Sequence, residues 1–290
     1  MQCWSLDRYG GSDAMQLNTV ETPSAKSHAD ILVKVHAASV NPFDIRMRDG
    51  YGSKVLNLWR KSKGTEEFPL VLGRDMSGVV VETGKLIRRF KPGDEVWGSP
   101  IVPHGGTHTQ YLIAQQDEIS LKPACLSHVE AASLPYVACT VWVAVVSRAG
   151  LKPGNSTDKR FDVILDPFGG KLEHMSTKLL SHSTGAVYVN LAPPLLSNTD
   201  RLGLGRGIVT SGQSLISSIA KKALMKGGTG SWAFFVPNPG ALNHVAKLCQ
   251  EGMIRPVVQA VFPFHQTPDA FAHLEAGHTR GKTVIQMEES

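Results

Sequence analysis

The chain has 290 residues, 42% of them hydrophobic and 19% charged, and a net charge of +5. This length suits two domains of ordinary size, and the composition excludes a disordered chain, for which low hydrophobicity and high net charge are typical. Lysines and arginines are scattered rather than grouped in a stripe, so nucleic-acid binding is not predicted. No stretch approaches the roughly 20 apolar residues of a membrane span. The longest apolar run, Tyr136–Val146, is broken by Cys139 and Thr140 and predicts a buried helix.

The four cysteines lie far apart and form no CxxC pair; they are Cys3, Cys125, Cys139 and Cys249. This spacing predicts reduced thiols rather than a disulfide framework or a structural zinc site. The N-terminal sequence MQCWSLD has neither an apolar signal core nor an Arg-rich amphipathic helix, so no presequence is visible.

The first part of the chain predicts a small β-barrel, because short strands alternate with turn signals. The first strand is predicted to end at a turn, Asn41–Pro42, and the third to follow the Pro-Gly turn Lys91–Asp94. The predicted strands are Ile31–Ala37, Met76–Glu82, Glu95–Trp97 and Thr109–Ala114.

The pattern changes near Leu126, where Ser127 and Glu130 form a capping box at the start of a helix. A second helix is predicted from about Ala138 to Arg148, with Gly150 as its stop. Strands and helices then alternate, which predicts a parallel sheet with right-handed crossovers. Its predicted strands are Asp162–Asp166, Ala186–Leu191 and Trp232–Val236, with a helix to about His182 between the first two. The tail predicts a helix from Gly240 to Cys249, an extended stretch from Pro256 to Phe264, a helix from Pro268 to Glu275 and a strand, Thr283–Ile285.

Several segments, in this order and spacing, resemble the quinone oxidoreductase branch of the medium-chain dehydrogenase/reductase family. They are Val35–Asp44, Leu72–Val80, Phe90–Trp97, Ala131–Pro135 and Arg280–Val284. The resemblance implies a fold of class α/β plus β, in which a GroES-like barrel domain accompanies a truncated Rossmann-type parallel sheet. The boundaries that it implies are 1–126 for the barrel, 127–245 for the remnant of the NAD(P)-binding domain and 246–290 for a segment that returns to the barrel.

The resemblance further implies hydride transfer from NADPH to a small hydrophobic quinone or enone. It directs Asn41 and Tyr51 toward the substrate or nicotinamide, with Tyr51 as a proton donor, although Asn41 with Asp44 also suits a simple Asx-turn. The cofactor-contacting residues that it implies are Thr140, Leu191, Phe234, Phe235, His278, Thr279 and Arg280. Thr140 and the two phenylalanines also suit plain core positions. Pro167 stands where similar proteins carry Asn.

No metal site is predicted. Zinc-using members of the family need a His-Glu pair after the glycine, whereas Gly73 is followed here by Arg74 and Asp75. His104 and His108 are four residues apart but lie in a Gly-rich loop, which does not imply a shared ligand geometry.

The phosphate-binding half of the dinucleotide fold is absent from the sequence. A dinucleotide site needs a strand, a Gly-rich turn and a helix whose N-terminus faces the pyrophosphate. Two βαβ-sized stretches, roughly 60 residues at about 30 each, are predicted to be missing between Arg160 and Phe161. Three other glycine clusters, Gly169–Gly170, Gly203–Gly207 and Gly227–Gly230, have the wrong position or spacing and predict ordinary turns.

Two functions therefore stay open at this stage. The first is an NADPH-dependent reductase whose cofactor binding is crippled, and the second is a non-catalytic splice or degenerate form that acts through protein interaction. The resemblance implies a mitochondrial location and a reticulon-type protein partner.

Overall fold

The computed structural model describes residues 1–101, 105–150, 161–168, 173, 179–181, 186–226 and 229–287, without the side chains of 221–226. The chain forms two compact units. The first unit comprises Met1–Ala138 and Pro237–Ser290, and the second unit comprises Cys139–Val236. The domain boundaries at 126/127 and 245/246 stay a prediction.

In the first unit, two sheets carry the fold. Their strands are β1 Gln2–Leu6, β2 Met15–Thr19, β3 Ile31–Val40, β4 Leu70–Val71, β5 Asp75–Thr83, β6 Glu95–Gly98, β7 Tyr111–Ala114, β8 Ile119–Leu121, β12 Val258–Pro263 and β13 Lys282–Gln286. The smaller sheet is antiparallel with strand order β2-β1-β4, and the larger sheet has the order β12-β13-β3-β5-β6-β8 with β7 paired to β3.

β3 organises the larger sheet because it is paired along both sides. It lies antiparallel to β5 on one side, and to β7 and then β13 on the other. Its side chains are buried over most of its length. Ile31, Val33 and Val35 belong to the main hydrophobic core, together with Phe271 from the helix Thr267–Glu275. Strands with both faces covered favour such apolar, β-branched sequences.

The helices of the first unit are α1 Pro42–Arg48, α2 Ser53–Ser62, α3 His128–Ala131, α4 Pro135–Trp142, which continues into the second unit, α7 Pro239–Gln250 and α8 Thr267–Glu275. The capping box at Ser127 and Glu130 is confirmed: the Ser127 side chain accepts the Glu130 backbone N–H, and the Glu130 carboxylate accepts that of Ser127. The prediction of a turn at Asn41–Pro42 is wrong, because Asn41 is the N-cap of α1 and Pro42 its first residue.

The second unit contains a parallel sheet with strand order β11-β10-β9 in the described part of the chain. Its strands are β9 Val163–Asp166, β10 Val187–Asn190 and β11 Thr229–Trp232, and its helices are α5 Leu195–Leu202 and α6 Leu204–Lys226. A π-helical stretch, Val143–Arg148, follows α4 in place of the predicted regular helix to Arg148. The predicted strand Trp232–Val236 is shifted: β11 ends at Trp232 because its partner β10 ends at Asn190, opposite Trp232.

The glycine cluster 203–207 is not an ordinary turn. Gly203 has φ +80 and ends α5, whereas Gly205 and Gly207 lie inside α6. A Cβ on Gly207 would lie 2.4 Å from the Cα of Thr199, so this glycine lets the two helices approach closely. Gly169–Gly170 and residues 227–228 lie outside the described residues.

Among the described residues, one helical stretch, His128–Arg148, is long and apolar enough to cross a membrane by length and composition alone. It includes the run Tyr136–Val146, for which the sequence predicts a buried helix; this run is only partly buried, since Val137, Val141 and Val146 are exposed. The core helix of a globular protein passes the same test, so the stretch is weak evidence for a span.

Candidate active site

A cluster of buried polar side chains lies in the first unit where β3 ends and β5 and β13 begin. Asp75, the first residue of β5, is fully buried and is its centre. Its Oδ2 accepts hydrogen bonds from Ser39 Oγ (2.7 Å), Asn41 Nδ2 (2.8 Å) and Lys282 Nζ (3.1 Å), and its Oδ1 accepts the backbone N–H of Tyr136 (2.5 Å). These donors compensate the loss of hydration that burial of a carboxylate entails.

Asn41 links this cluster to the start of α1. Its backbone N–H donates to Asp44 Oδ2 at 2.8 Å, and its side-chain Oδ1 accepts a hydrogen bond from Lys282 Nζ. Asp44 Oδ1 accepts the backbone N–H of Gly73 at 3.2 Å, which joins α1 to the loop before β5. Asn41 is thus held by one backbone and two side-chain hydrogen bonds, and it is nearly inaccessible to solvent.

Burial raises the pKa of the Asp44 carboxyl to about 6. The Arg74 guanidinium and the Asn41 backbone N–H act in the opposite direction, and the nearby Asp75 carboxylate adds to the rise. Burial lowers the pKa of the Arg74 guanidinium, and the Asp44 carboxylate is the main factor that opposes this. Two acids and two bases, Asp44 and Asp75 with Arg74 and Lys282, therefore share one largely dry site.

Gly73 lets the loop before β5 pass close to His108. Its φ is +99, and a Cβ there would lie 2.3 Å from Thr107 Oγ1 and 2.7 Å from His108 Cδ2. The buried His108 ring bonds through Nε2 to the Ser39 carbonyl at 3.2 Å and meets the Phe271 ring edge-on. Burial lowers the pKa of His108 to about 4, so the imidazole is neutral at physiological pH.

Aromatic side chains adjoin the polar cluster. Phe43, the second residue of α1, stacks with Tyr136 at 6.2 Å between ring centroids and meets Tyr51 edge-on at 6.1 Å. The Arg46 guanidinium lies 5.1 Å from the centroid of the Tyr51 ring. Burial raises the pKa of the Tyr136 phenol, as do the Asp44 and Asp75 carboxylates. Tyr136 therefore connects the aromatic side chains to the polar cluster, because its ring stacks with Phe43 and its backbone N–H donates to Asp75.

The other residues named from the sequence occupy several places, and their roles stay predictions. In the first unit, His278 is exposed with φ +59, Thr279 is half-buried and Arg280 is exposed, all between α8 and β13. In the second unit, Thr140 lies in α4, Leu191 follows β10, and Phe234 and Phe235 follow β11. The Phe234 ring meets Trp232 edge-on, and Leu191 packs against a small core with Val189 and Ala233.

Sequence reasoning did not name Asp75 or Lys282 as site residues. Both lie in motifs that carry the family resemblance, but they are 207 positions apart. One signal was available: a charged residue at the start of an apolar strand that is buried on both faces needs a partner of opposite charge.

The described residues contain no group of three or more His, Cys, Asp or Glu side chains placed to hold a metal ion. His104 lies outside the described residues. The ammonium of Lys282, 3.1 Å from Asp75, neutralises this carboxylate.

Comparison with protein families shows to which class of protein the chain belongs. Residues 27–149 match the model of the alcohol dehydrogenase GroES-like domain, and residues 145–285 match a model described as zinc-binding dehydrogenase. A solved quinone oxidoreductase from Coxiella burnetii has the same fold, with a TM-score of 0.76, 23% identity and 99% of each chain covered. The chain therefore belongs to the medium-chain dehydrogenase/reductase family, as its motifs suggested.

The similarity of the chain to individual relatives assigns it to one branch of this family. The mitochondrial NAD(P)H oxidoreductases RTN4IP1 of Homo sapiens and Bos taurus are 37% and 36% identical to it over 99% of this chain and 89% of theirs. A chloroplastic quinone-oxidoreductase homologue of Spinacia oleracea is 25% identical over 96% of this chain and 95% of its own. The chain belongs, within the quinone oxidoreductase branch, to the family of the RTN4IP1 oxidoreductases.

The length of this alignment bears on the missing segment. The alignment with the human relative spans 355 positions, whereas the chain has only 290 residues, so at least 65 aligned positions have no residue here. The predicted loss of roughly 60 residues, at about 30 per βαβ unit, is of this size. Its location at the join of Arg160 and Phe161 stays a prediction.

Proposed function

We propose that this chain derives from a zinc-independent, NADPH-dependent reductase of quinones or enones in mitochondria, and that its own cofactor binding is crippled. The observation that carries the reductase assignment is the fixed group of Asn41, Asp75 and Lys282 beside the aromatic face of Phe43 and Tyr51, in a chain of this family. Zinc independence follows from the same group, because an ammonium neutralises Asp75 where a zinc enzyme needs ligands.

The residues of the cluster would bind and orient the substrate. The ammonium of Lys282 donates to Ser39 Oγ (3.3 Å), Asn41 Oδ1 and Asp75 Oδ2 (3.1 Å), and the side chain is 17% exposed. A substrate carbonyl oxygen would replace the long bond to Ser39, and the ammonium would then favour negative charge on that oxygen. Asn41 acts as a positioning residue, because its Oδ1 accepts from Lys282 while its Nδ2 donates to Asp75. Tyr51 is the proton donor, and the rings of Phe43 and Tyr136 provide the apolar contact that a quinone requires. In this family the nicotinamide supplies the hydride when it is bound.

The described residues do not fit the phosphate half of the cofactor. A pyrophosphate needs a Gly-rich turn between a strand and a helix N-terminus, and among the described glycines those at 203–207 lie at and within helices instead. Loss of two or three charge-assisted hydrogen bonds and of the helix-dipole contribution removes roughly 4–8 kcal/mol. This corresponds to about three to six decades in affinity.

The partial exposure of β9 favours a second function. This strand is half-exposed although its sequence is suited to full burial, as expected of a sheet from which its neighbour has been removed. The alternative is a non-catalytic splice or degenerate form that acts through a protein partner, of the reticulon type suggested by the name of a Caenorhabditis elegans relative, reticulon-4-interacting protein 1.

Titration of the purified chain with NADPH, followed by quenching of tryptophan fluorescence, separates the two functions. The proposal of crippled binding predicts no saturation at micromolar NADPH and weak but measurable binding at millimolar concentration. Saturation at micromolar concentration would overturn it and support an active reductase. No binding even at millimolar concentration would leave only the non-catalytic form. The human relative, titrated in parallel, is the positive control.

A further inference from the structure

Helix α6 has an unusual distribution of side chains in the second unit. The side of the helix that packs within the unit is formed by small residues: Gly207 lies against Thr199, Ser211 Oγ accepts a hydrogen bond from Asn198 Nδ2 at 3.0 Å, and Ser218 bonds to Glu173. A helix of a globular domain normally buries its large apolar side chains and exposes its small or polar ones. In α6 this arrangement is reversed.

Four large apolar side chains of α6 are exposed, whereas Leu204 and Leu215 are half-buried. Val209 is 60% exposed and Ile216 is 69% exposed, and Ile208 and Ile219 are also open to solvent. At about 100° per residue these four positions fall within an arc of roughly 100°, so they form one continuous face. We call these four residues the apolar face of α6. Apolar faces of this kind mark interaction sites when nothing in the chain covers them.

The charges of α6 indicate what covers this face. The helix sequence has four basic residues, Arg206, Lys221, Lys222 and Lys226, and no acidic residue. A helix with an apolar face and exclusively positive charge is typical of segments that lie in the interface of an anionic membrane. A second copy of the chain is a poorer occupant, because two such helices would bring only like charges together.

We propose that α6 binds the surface of anionic phospholipid bilayers, with the apolar face of α6 at the level of the headgroups and acyl chains and the net positive charge of the helix attracted to the lipid phosphates. The helix lies on the membrane rather than across it, since in the described part of the chain the length and composition of a span are met by His128–Arg148 and not by α6. This inference does not depend on NADPH binding or on catalysis.

Sedimentation of the full chain with vesicles tests the proposal. Binding is expected to vesicles that contain phosphatidylglycerol, and little binding to vesicles of phosphatidylcholine alone. The substitutions Val209→Ser and Ile216→Ser should each weaken binding about tenfold, because each removes part of the apolar area that enters the lipid. High salt should weaken it as well, since the phosphate contacts are screened.

Leu86→Ser is the matched control, because Leu86 is 65% exposed but belongs to the first unit and not to α6. It should leave vesicle binding unchanged. All three side chains are exposed, so the far-UV circular dichroism of each variant should match that of the parent chain.

Three results would overturn the proposal: no binding to anionic vesicles, equal binding to neutral ones, or equal losses in all three variants. A fourth would be a dimer, seen by analytical ultracentrifugation without lipid, that Ile216→Ser converts to a monomer. That result would show a second copy to be the occupant.

Discussion

β9 and β10 lie side by side in the second unit with similar sequences, but they differ sharply in burial. Val163–Asp166 and Val187–Asn190 are paired in parallel, residue for residue, yet every residue of β10 is buried whereas three of the four in β9 are only half-buried. β10 has a partner on each side, and β9 pairs with β10 alone in the described part of the chain. In this part of the chain, a strand whose sequence suits the centre of a sheet therefore lies at its edge.

The backbone hydrogen bonds show which side of β9 is open. Asp162 and Asp166 accept N–H groups from Val187 and Leu191, so the even-numbered residues face β10. The odd-numbered residues point the other way, as alternation along a strand requires. Phe161, at the start, pairs there with Leu180, and the N–H and C=O groups of Val163 and Leu165 face the open side. This is the edge that a preceding strand would cover in a complete sheet.

Insertion of a strand beside the open edge of β9 is expected to have the largest effect, a gain in NADPH affinity. Insertion of the unmatched segment of the human relative between Arg160 and Phe161 should restore the strand beside β9 together with its Gly-rich turn. We expect NADPH affinity to rise by about three to six decades, the inverse of the loss of roughly 4–8 kcal/mol. Fluorescence titration measures the change.

The control for this chimera is the same insert with the glycines of its phosphate turn changed to valine. It should close the edge without a gain in affinity. If the intact insert leaves NADPH binding unchanged while the chimera folds, the missing segment is not at this join.

A substitution in the polar cluster of the first unit should lower the free energy of unfolding far more than a substitution in a surface ion pair. Asp75→Leu leaves Ser39, Asn41 and Lys282 without their shared acceptor. We expect a loss of about 3–5 kcal/mol in the free energy of unfolding, because an uncompensated charge stays buried. Denaturant unfolding measures it.

The double variant Asp75→Leu with Lys282→Met should lose less than the single variant, since both charges are then gone. Asp13→Ala, which breaks an exposed pair with Arg8, should cost under about 1 kcal/mol. A double variant that is less stable than Asp75→Leu alone would show that the ion pair is not the main stabilising element.

The stability of the first unit should also depend on pH through His108. Its pKa is lowered to about 4 in the folded chain from an ordinary value of 6.5, so the unfolded chain binds the proton more tightly. The stabilisation is complete above pH 6.5 and is lost as the pH falls through 4, by about 3 kcal/mol for full titration. Unfolding measured between pH 7 and pH 4 tests this.

His108→Gln keeps a donor for the Ser39 carbonyl but does not titrate, so it should remove this loss. Asp44 acts in the opposite direction, because its raised pKa of about 6 increases stability as the pH falls from 6 toward 4. The variant should therefore be stabilised on acidification over that window. If its pH profile matches that of the parent chain, His108 is not the titrating group.

Parts of the fold could be predicted from the sequence and parts could not. The strands β3, β5 and β10 were predicted because an apolar, β-branched run between turn signals is a local pattern. α6 was missed because Gly203, Gly205 and Gly207 are typical of a turn, and only the close approach to Thr199 explains a glycine inside this helix. Asn41 was named through its motif, whereas the partnership of Asp75 with Lys282 depends on the pairing of strands far apart in sequence.

Matched substitutions in β9 and β10 compare the two strands directly, and the one in β9 should have the smallest effect on stability. Val163 and Val187 are opposite each other in the register of β9 and β10, but only Val187 is buried in a hydrophobic cluster. Val163→Lys should cost about 1 kcal/mol or less and should reduce self-association, because a charge on an open edge disfavours strand pairing between copies. Val187→Lys should destabilise the second unit severely, since it buries an unpaired charge. Unfolding and light scattering of both variants measure the two quantities. Equal destabilisation would mean that β9 is covered on both sides after all, and the edge would then explain neither association nor the loss of cofactor binding.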